Sequence, residues 1–489
     1  MKSEAKFFAS QAWIEGAWAY DVLLEVDATG HWSQVQVNAT AEARAGATEL
    51  QGYVLPGVVN AHSHAFQRAI AGLTERCSDP EAWKAGRSAP CPPPALRAPP
   101  LPAQNAQPPR LPPTSDNFWS WRDRMYNAAN RIGPEQLEAI ATQLYTELLQ
   151  GGYTQVCEFQ YLHNDLDGTP YADPAEMSLA LVRAAQRTGI GLTLLPTLYM
   201  RSGFAATSLR DDQRRFASTP ESIARIVESV RRQTAGESRI QMGVALHSLR
   251  AVSPPDLQAL AEYAKSAALP LHIHIAEQTQ EVDDCLIHSG QRPIEWLLNH
   301  AEVDARWNLV HATHTTPAEL TGVKARGASI VICPSTEANL GDGVFDLPGY
   351  TTLGGQWSIG SDSHVSRAWS EELRLLEYSQ RLALRQRNIA SQSMRVESTA
   401  AALMQGAMEG GSAASGCALG GLAVGQRADF VTLAPDAPSL LGMPRDYVLD
   451  ALVFSSPSPA MQQVYVAGQA VPVRTRSGQF AQVMQALWA

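Results

Sequence analysis

Cysteine is scarce in this sequence, and the few cysteines lie far apart. The 489 residues include six cysteines, and no two of them have CxxC spacing. A small disulfide-stabilised fold needs a much higher density of cysteine, and disulfides persist only in oxidising compartments. The sequence therefore excludes a disulfide scaffold, and we expect a protein of a reducing compartment, the cytoplasm.

The sequence also lacks a long apolar run and an excess of positive charge. No stretch approaches the roughly 20 uninterrupted apolar residues that a membrane helix needs, so we expect no membrane partner. The amino-terminal stretch MKSEAKFFASQAW has no continuous apolar core, and we expect no secretory signal. The formal net charge of -10 argues against a nucleic-acid partner, because nucleic-acid binding requires a basic face.

Both ends of the chain consist of short strand-like segments separated by turn residues. These segments are VLLEV and WSQVQV near the start, and residues 428–434, 450–455 and 462–471 near the end. A chain of this length can bury a large core and form more than one domain. We predict a small β-sandwich domain built from residues 1–55 and 420–489, beside a larger domain of residues 56–419.

The middle of the chain alternates strand-like apolar runs with helix-patterned segments, which is typical of a parallel α/β fold. The runs occur at residues 54–64, 154–161, 191–199, 241–248, 269–276, 307–314, 328–335 and 356–364. Segments with a helical pattern, such as PEQLEAIATQLYTELLQ, lie between them. Eight such units predict a (β/α)8 TIM barrel, whose active site lies at the carboxyl ends of its strands.

One segment, residues 77–114, interrupts this pattern between the first predicted barrel strand and the next helix. It contains the stretch APCPPPALRAPPLPAQNAQPPRLPP. Runs of proline exclude the interiors of helices and sheets and favour extended, solvated chain. We predict a loop insertion near the active-site face rather than a peptide-docking motif.

A pair of histidines follows the first predicted barrel strand. His62 and His64 end the run VLPGVVNAHSH, and alternate residues of a strand point to the same side. Both imidazoles can therefore face one point at the mouth of the barrel. Two satisfied polar turn residues are the ordinary alternative for an isolated HxH pair, but the position directly after a barrel strand favours a metal site.

The fifth predicted strand ends in HIHIAEQ and offers two more histidines. His272 and His274 share one face, and Glu277 follows His274 by three residues. A histidine ligand near a carboxylate suits a metal that activates water while the carboxylate moves its proton. Spacing alone does not decide which histidine binds, and His272 is also a candidate for a core histidine hydrogen-bonded within the barrel.

Two further polar residues end later strands, His311 in LVHATH and Asp362 in SIGSDSH. A single histidine or aspartate at a strand end is usually structural or a helix cap. Several of them at the same end of one barrel indicate a shared site. Three histidines and one aspartate, with an open position for water, suit a catalytic zinc ion.

These residues, in this order, resemble the amidohydrolase superfamily: HSH after strand 1, HIAE after strand 5, VHATH after strand 6 and GSDSH after strand 8. The segment GLAVGQRADFVTL also looks like that superfamily's return into its β-sandwich. The resemblance implies one zinc ion per subunit, held by His62, His64, His274 and Asp362. It further implies catalytic roles for Glu277, His311 and Asp362, and a homodimer.

Within that superfamily, longer stretches resemble the deiminases that hydrolyse N-formimino-L-glutamate to N-formyl-L-glutamate and ammonia in histidine degradation. They include HSHAFQRAIAGLTE and HIHIAEQTQEVDDC, whereas the loop YMRSGFAATS looks atypical. A substrate with two carboxylates calls for fixed cationic groups, and arginine offers bidentate geometry. Arg122 in WSWR and Arg250 in HSLR fall where that family binds carboxylates. Its other substrate contacts match Gln67, Tyr161 and His247.

Two other functions fit parts of the sequence. A deaminase of guanine or a related heterocycle would use the same metal ligands, with an apolar slot and amide contacts in place of two arginines. A non-enzymatic scaffold would keep the fold and be expected to lose metal ligands, but all four ligands and Glu277 are present here.

Overall fold

The computed structural model describes residues 5–75, 117–473 and 477–488, so the predicted insertion at 77–114 lies outside the described residues. The strands, in chain order, are β1 (Ala5–Ile14), β2 (Ala17–Val26), β3 (Trp32–Gln36), β4 (Thr48–Pro56), β5 (Val58–Ser63), β6 (Tyr153–Gln160), β7 (Gly191–Leu198), β8 (Ile240–Met242), β9 (Val244–Ser248), β10 (Leu271–Ile275), β11 (Trp307–His311), β12 (Ser329–Ile332), β13 (Gln356–Ile359), β14 (Phe430–Leu433), β15 (Met461–Val466) and β16 (Gln469–Val471).

The α-helices of the described ranges are α1 (Phe118–Ala129), α2 (Pro134–Gln150), α3 (Glu176–Thr188), α4 (Pro220–Gln233), α5 (Pro254–Ser266), α6 (Thr279–Ser289), α7 (Pro293–His300), α8 (Pro317–Ala325), α9 (Pro334–Leu340), α10 (Leu347–Thr352), α11 (Trp369–Leu384), α12 (Ile389–Met394), α13 (Thr399–Ser415), α14 (Val448–Phe454) and α15 (Ser477–Trp488). None of these helices combines the length and the apolar character that crossing a membrane requires.

Strands from both ends of the chain build one seven-stranded sheet, in the order β16-β15-β14-β4-β1-β2-β3. The strand β4 joins the two ends, because it pairs with β1 on one side and with β14 on the other. Aromatic residues from both ends also pack together. The rings of Phe430 and Tyr465 stack with centroids 4.2 Å apart, and Phe7 meets both edge-on. The prediction that both termini form one β unit is confirmed, although β1 was not among the predicted strands.

The predicted strand at 450–455 is wrong, because this segment lies in helix α14. Its apolar residues recur with the period of a helix and are buried: Val448, Leu449, Leu452 and Val453. Asp450, in its first turn, accepts a hydrogen bond of 3.1 Å from the backbone N–H of Ala400 in α13. A short apolar run cannot be assigned by periodicity alone, and packing against α11 and α13 makes this one helical.

The other sheet is the predicted (β/α)8 barrel, with parallel strands in the order β5-β6-β7-β9-β10-β11-β12-β13. The first and last strands meet through Asp362. Its backbone N–H donates to the His62 carbonyl at 3.0 Å, and its carbonyl accepts from the His64 N–H at 3.3 Å. The predicted run at 54–64 is shared between the two sheets, because β4 ends at Pro56 and β5 begins at Val58.

Short loops at the carboxyl ends of the strands are closed by helix caps. The Ser253 hydroxyl accepts from the Asp256 N–H at the start of α5, and the Thr316 hydroxyl accepts from the Glu319 N–H at the start of α8. Proline follows each cap at the first helical position, where no intrahelical N–H bond is lost. These caps hold the loops after β9 and β11, so the residues on those loops have little freedom to move.

Candidate active site

Three histidine side chains converge at the carboxyl end of the barrel. His62 lies in β5, His64 directly follows that strand, and His274 is the fourth residue of β10. The Nε2 atom of His62 lies 3.1 Å from Nε2 of His64 and 2.9 Å from Nε2 of His274. All three side chains are buried. The structure therefore brings together the histidines that the resemblance implies as metal ligands.

The hydrogen bonds of these rings leave lone pairs facing one another. Nδ1 of His64 donates to the Phe159 carbonyl and Nδ1 of His274 donates to the His247 carbonyl, both at 3.0 Å. Burial lowers the pKa of His64 to about 3 and lowers the pKa of His274 well below its ordinary value. Each neutral ring then carries a lone pair on Nε2. A proton on Nε2 of His62 can be shared with the lone pair of only one of its two neighbours, His64 or His274. A cation between the three rings accepts the lone pair of each ring.

Asp362 places a carboxylate beside the same histidines. Its Oδ1 atom lies 3.5 Å from Nε2 of His62 and 3.3 Å from Nε2 of His64. The backbone of Asp362 has a φ of 44°, in the left-handed region that residues with a Cβ rarely adopt. Burial raises the pKa of the Asp362 carboxyl to about 7. Three imidazoles and one carboxylate make a candidate metal site with the donor set of a catalytic zinc ion.

Glycine is required at position 360, where the first and last barrel strands approach. A Cβ there would lie 2.6 Å from Cβ of His62 and 2.8 Å from its backbone nitrogen. We expect Gly360→Ala to displace His62, to lower stability by about 1–3 kcal/mol as overpacked cores do, and to lower metal content. Thermal unfolding and elemental analysis measure both effects. Gly203→Ala is the control, because a Cβ at Gly203 meets nothing within 4 Å. Equal stability and metal content in the two variants would contradict this expectation.

His272, the alternative to His274, makes a different contact. Its Nε2 atom lies 2.9 Å from the carbonyl oxygen of Ala414, near the end of α13. Because that nitrogen must donate to the carbonyl, it has no lone pair to offer a metal. His274, together with His62 and His64, places a ligand atom within reach of one ion, and His272 belongs to none of the candidate groups of ligand atoms among the described residues.

Glu277 and His311 lie beside the histidine cluster. Nε2 of His311 is 3.7 Å from Oε1 of Glu277 and 3.9 Å from Oδ2 of Asp362, and its Nδ1 is 3.3 Å from Oε1 of Glu337. Burial by itself lowers the pKa of His311. The charge of Glu277 and the hydrogen bonds to Cys333 and Glu337 outweigh it and raise this pKa well above its ordinary value. His311 therefore lies among three carboxylates at the edge of the histidine cluster.

Two arginines form a cationic region of the same cleft. The guanidinium carbon of Arg122 lies 4.3 Å from the ring centroid of Trp119, and that of Arg250 lies 5.8 Å from it. Among the described residues, neither arginine forms a salt bridge with a carboxylate, although the charges of Glu281 and Glu277 act on Arg250, and Nε of Arg122 and Nη1 of Arg250 are buried without a hydrogen bond. Buried N–H groups of this kind are costly to leave unpaired, so this region is complementary to an anion.

The cleft is narrow, with an internal volume of about 40 Å³. It is lined by every predicted site residue except His62: His64, Gln67, Arg122, Tyr161, His247, Arg250, His274, Glu277, His311 and Asp362. The amide nitrogen of Gln67 donates to the Tyr161 hydroxyl at 3.3 Å, and its buried Oε1 has no partner in the described part of the chain. The predicted catalytic and substrate-contact residues thus share one cleft.

The sequence predictions missed residues that hold this site in place. Glu337, in α9, contacts His311 and accepts a hydrogen bond of 2.9 Å from the Cys333 N–H. Glu158, in β6, accepts a hydrogen bond of 2.7 Å from the Ser63 hydroxyl, next to His64. The available signals were the stretch STEANLGDG and one glutamate inside the apolar run TQVCEFQY, and neither indicates which side chain it contacts.

Comparison with known proteins agrees with this geometry. Residues 53–471 match the amidohydrolase family. The chain is 43% identical over 464 residues to formimidoylglutamate deiminase from Pseudomonas aeruginosa, covering 94% of this chain and 93% of that protein. An amidohydrolase structure from Brucella melitensis superposes with a TM-score of 0.85 at 39% identity, covering 99% of this chain and all of that one.

A more distant structure has the same fold. An adenosine deaminase from Xanthomonas campestris with bound zinc superposes with a TM-score of 0.73 at 20% identity, over 99% of this chain and 97% of that chain. The extent of the family match, the identity to the Pseudomonas and Brucella proteins and the strand-end histidines all agree. This chain belongs to the amidohydrolase family.

Proposed function

We propose that this enzyme hydrolyses N-formimino-L-glutamate to N-formyl-L-glutamate and ammonia. The observation that carries the proposal is the pair of guanidinium groups, Arg122 and Arg250, neither of which forms a salt bridge with a carboxylate of the described residues. The substrate brings two carboxylates, and each guanidinium offers a planar set of donors that matches a carboxylate. The Pseudomonas relative, 43% identical, is a formimidoylglutamate deiminase.

The charges that line the cleft also match this substrate. Arg122 and Arg250 are cationic, whereas Glu277 and Asp362 lie beside the histidine cluster and carry carboxylates. A formimino group is an amidine, which is cationic when protonated and so favours the carboxylates. The substrate carboxylates then lie at the arginines. A neutral heterocycle such as guanine has no group to pair with two guanidinium ions.

We propose further that one zinc ion per subunit is held by His62, His64, His274 and Asp362. The support is the set of facing Nε2 lone pairs and the adjacent carboxylate. When bound, zinc supplies Lewis acidity and lowers the pKa of water to about 7, which makes hydroxide available at neutral pH.

The surrounding side chains have separate roles in the proposed reaction. Water adds to the formimino carbon, and the Asp362 carboxylate accepts a proton from that water. The Glu277 carboxylate takes the second proton of that water from the resulting hydroxyl and passes it to the terminal nitrogen of the protonated amidine, so that the C–N bond breaks, the formyl C=O bond forms and ammonia leaves, taking up the proton held by Asp362. His311 donates a hydrogen bond to the oxygen as negative charge develops on it. Gln67, Tyr161 and His247 contact the substrate from the wall of the cleft.

Removing either arginine tests the proposed substrate. We expect Arg122→Ala and Arg250→Ala each to lower kcat/KM for N-formimino-L-glutamate by about 10²- to 10³-fold, because breaking a buried charge pair costs about 2–5 kcal/mol. Ammonia release measures the rate, and N-formimino-L-aspartate tests how strictly the cleft recognises chain length. Arg183→Ala is the control, because the partly exposed Arg183 side chain already pairs with Glu138 and does not line the cleft.

Two outcomes would contradict the proposed substrate. One is wild-type kcat/KM in both cleft variants. The other is ammonia release from guanine at a rate comparable to that from N-formimino-L-glutamate, which would favour a ring deaminase.

We also propose a cytoplasmic homodimer that acts in histidine degradation, with residues 1–55 and 420–489 as one domain and 56–419 as the other. The family resemblance supports the dimer, and the separate seven-stranded sheet supports the division into domains. Light scattering on the purified protein tests the dimer, and a monomeric mass would contradict it.

A further inference from the structure

Three buried polar residues form a hydrogen-bonded group, called here the Tyr-Tyr-Gln triad. Tyr126 lies in α1, Tyr199 directly follows β7, and Gln213 lies in a short helical turn at Asp211–Phe216. The two tyrosine hydroxyls are 3.1 Å apart, and Nε2 of Gln213 lies 3.1 Å from that of Tyr126 and 2.8 Å from that of Tyr199. Each of the three residues is at most 3% exposed.

A count of hydrogens shows that the triad is one acceptor short. The Gln213 amide nitrogen has two hydrogens and donates one to each hydroxyl, while its oxygen accepts from the Arg210 N–H at 3.0 Å. Only one hydroxyl hydrogen can lie between the two tyrosines, so one of them donates to the other. The second hydroxyl hydrogen has no acceptor among the described residues.

The geometry assigns the unused hydrogen to Tyr126. This residue lines the cleft together with Arg122 and Arg250, and its ring centroid lies 5.5 Å from the Arg122 guanidinium carbon. Tyr199 is not among the lining residues, and its ring packs instead against Phe216 and His247. Burial raises the pKa of Tyr199 well above its ordinary value, so its hydroxyl stays protonated. Either tyrosine can donate the bond between the two hydroxyls, and donation by Tyr199 leaves the O–H of Tyr126, the tyrosine that lines the cleft, free to donate into it.

We infer that Tyr126 is a further substrate-binding residue, whose hydroxyl donates to a substrate carboxylate held by Arg122 and Arg250. The inference rests on the proposed function, because it takes that carboxylate as the missing acceptor. The inference also gives a physical reason for the cleft to select a carboxylate over a carboxamide. Gln213 and Tyr199 occupy both lone pairs of the Tyr126 oxygen, so this hydroxyl can only donate, as a guanidinium does. A carboxylate presents only acceptors to such a site, whereas a carboxamide would also present N–H groups.

Tyr126→Phe and Tyr199→Phe form a matched pair of variants. Each removes one hydroxyl from the triad, keeps the aromatic ring and leaves one Gln213 N–H without its acceptor. In Tyr126→Phe we expect KM for N-formimino-L-glutamate to rise about 10- to 100-fold with kcat little changed, as for the loss of a hydrogen bond to a charged group. In Tyr199→Phe the Tyr126 hydroxyl keeps its free hydrogen, and we expect KM to rise less than about 3-fold.

Selectivity for the diacid over its monoamides is a second measurement, because a defect that only disturbs the fold would not change it. The ratio of kcat/KM for N-formimino-L-glutamate to kcat/KM for each of its two monoamides is measured in the wild type and in both variants. We expect Tyr126→Phe to reduce the preference for the diacid over one monoamide by about tenfold or more. We expect Tyr199→Phe to retain the wild-type preference.

The outcomes separate this inference from the proposed function. An equal rise of KM in the two variants, or an unchanged preference in Tyr126→Phe, would overturn the role of Tyr126 and leave the proposed function standing. Failure of the wild-type enzyme to release ammonia from N-formimino-L-glutamate would overturn both.

Discussion

Replacing Glu277 by glutamine is expected to lower kcat by about 10²- to 10⁴-fold while the protein keeps its metal, as for the loss of a general acid–base group. Glu277 lines the cleft and its Oε1 lies 3.7 Å from Nε2 of His311, next to the candidate metal site. Glutamine has nearly the same size and can still accept hydrogen bonds. It cannot pass a proton to the departing nitrogen, so the C–N bond would break with a much poorer leaving group.

Steady-state ammonia release and elemental analysis check this expectation together. Glu281→Gln is the control, because Glu281 is also buried, lies four residues further along and does not line the cleft; since the charge of Glu281 also acts on Arg250, the two variants are compared by kcat at saturating substrate. Its Oε2 accepts the Glu277 N–H at 3.2 Å, and a glutamine oxygen can do the same. Near-normal turnover in Glu277→Gln would rule out the proton-transfer role, and an equal loss in both variants would indicate that the loop was disturbed instead.

His274→Asn is expected to lose the metal and with it nearly all activity, whereas His272→Asn is expected to keep both. Removal of an outer-shell partner already costs about 10- to 100-fold in metal affinity, and removal of a ligand should cost more. The Nε2 atom of His274 lies 2.9 Å from that of His62, whereas the Nε2 atom of His272 donates to the Ala414 carbonyl. The two histidines are two residues apart on the same strand, so the comparison isolates their contacts.

Metal content per subunit and thermal unfolding distinguish the two variants. We expect His272→Asn to unfold at a lower temperature with its metal retained, because the variant loses a buried hydrogen bond worth about 1 kcal/mol. Loss of the metal from His272→Asn with retention in His274→Asn would reverse the assignment of the ligand.

Much of this site could be predicted because its signals are local. The alternation of side chains along a strand places His62 and His64 on one side, and the carboxyl ends of parallel strands all meet at one end of a barrel. The apolar runs of the barrel strands were recognisable because parallel strands are buried on both faces. Arg122 and Arg250 were recognised through the family resemblance, because a single arginine in a sequence is otherwise expected to make a surface salt bridge.

The secondary structure of short apolar runs could not be predicted from the local sequence pattern. Residues 450–455 form part of a helix and not a strand, because packing against α11 and α13 decides between the two. The run at 54–64 read as one strand, yet the chain passes from one sheet to the other near Gly57. A Cβ at Gly57 would lie 2.3 Å from Oγ1 of Thr154, so this crossing depends on a close approach that spacing does not reveal.

The sequence by itself determined the family of the chain and the barrel, since these depend on residue type and strand periodicity. For the same reason it supplied the residues from which a metal site at His62, His64 and Asp362 could be built. Only the tertiary structure favours His274 over His272 as the proposed ligand, because this choice depends on which carbonyl oxygen each ring meets. It also decided that Glu337 contacts His311 and that Tyr126, Tyr199 and Gln213 share their hydrogens. Those residues come from segments far apart in the chain, and hydrogen bonds between them exist only once the barrel has closed.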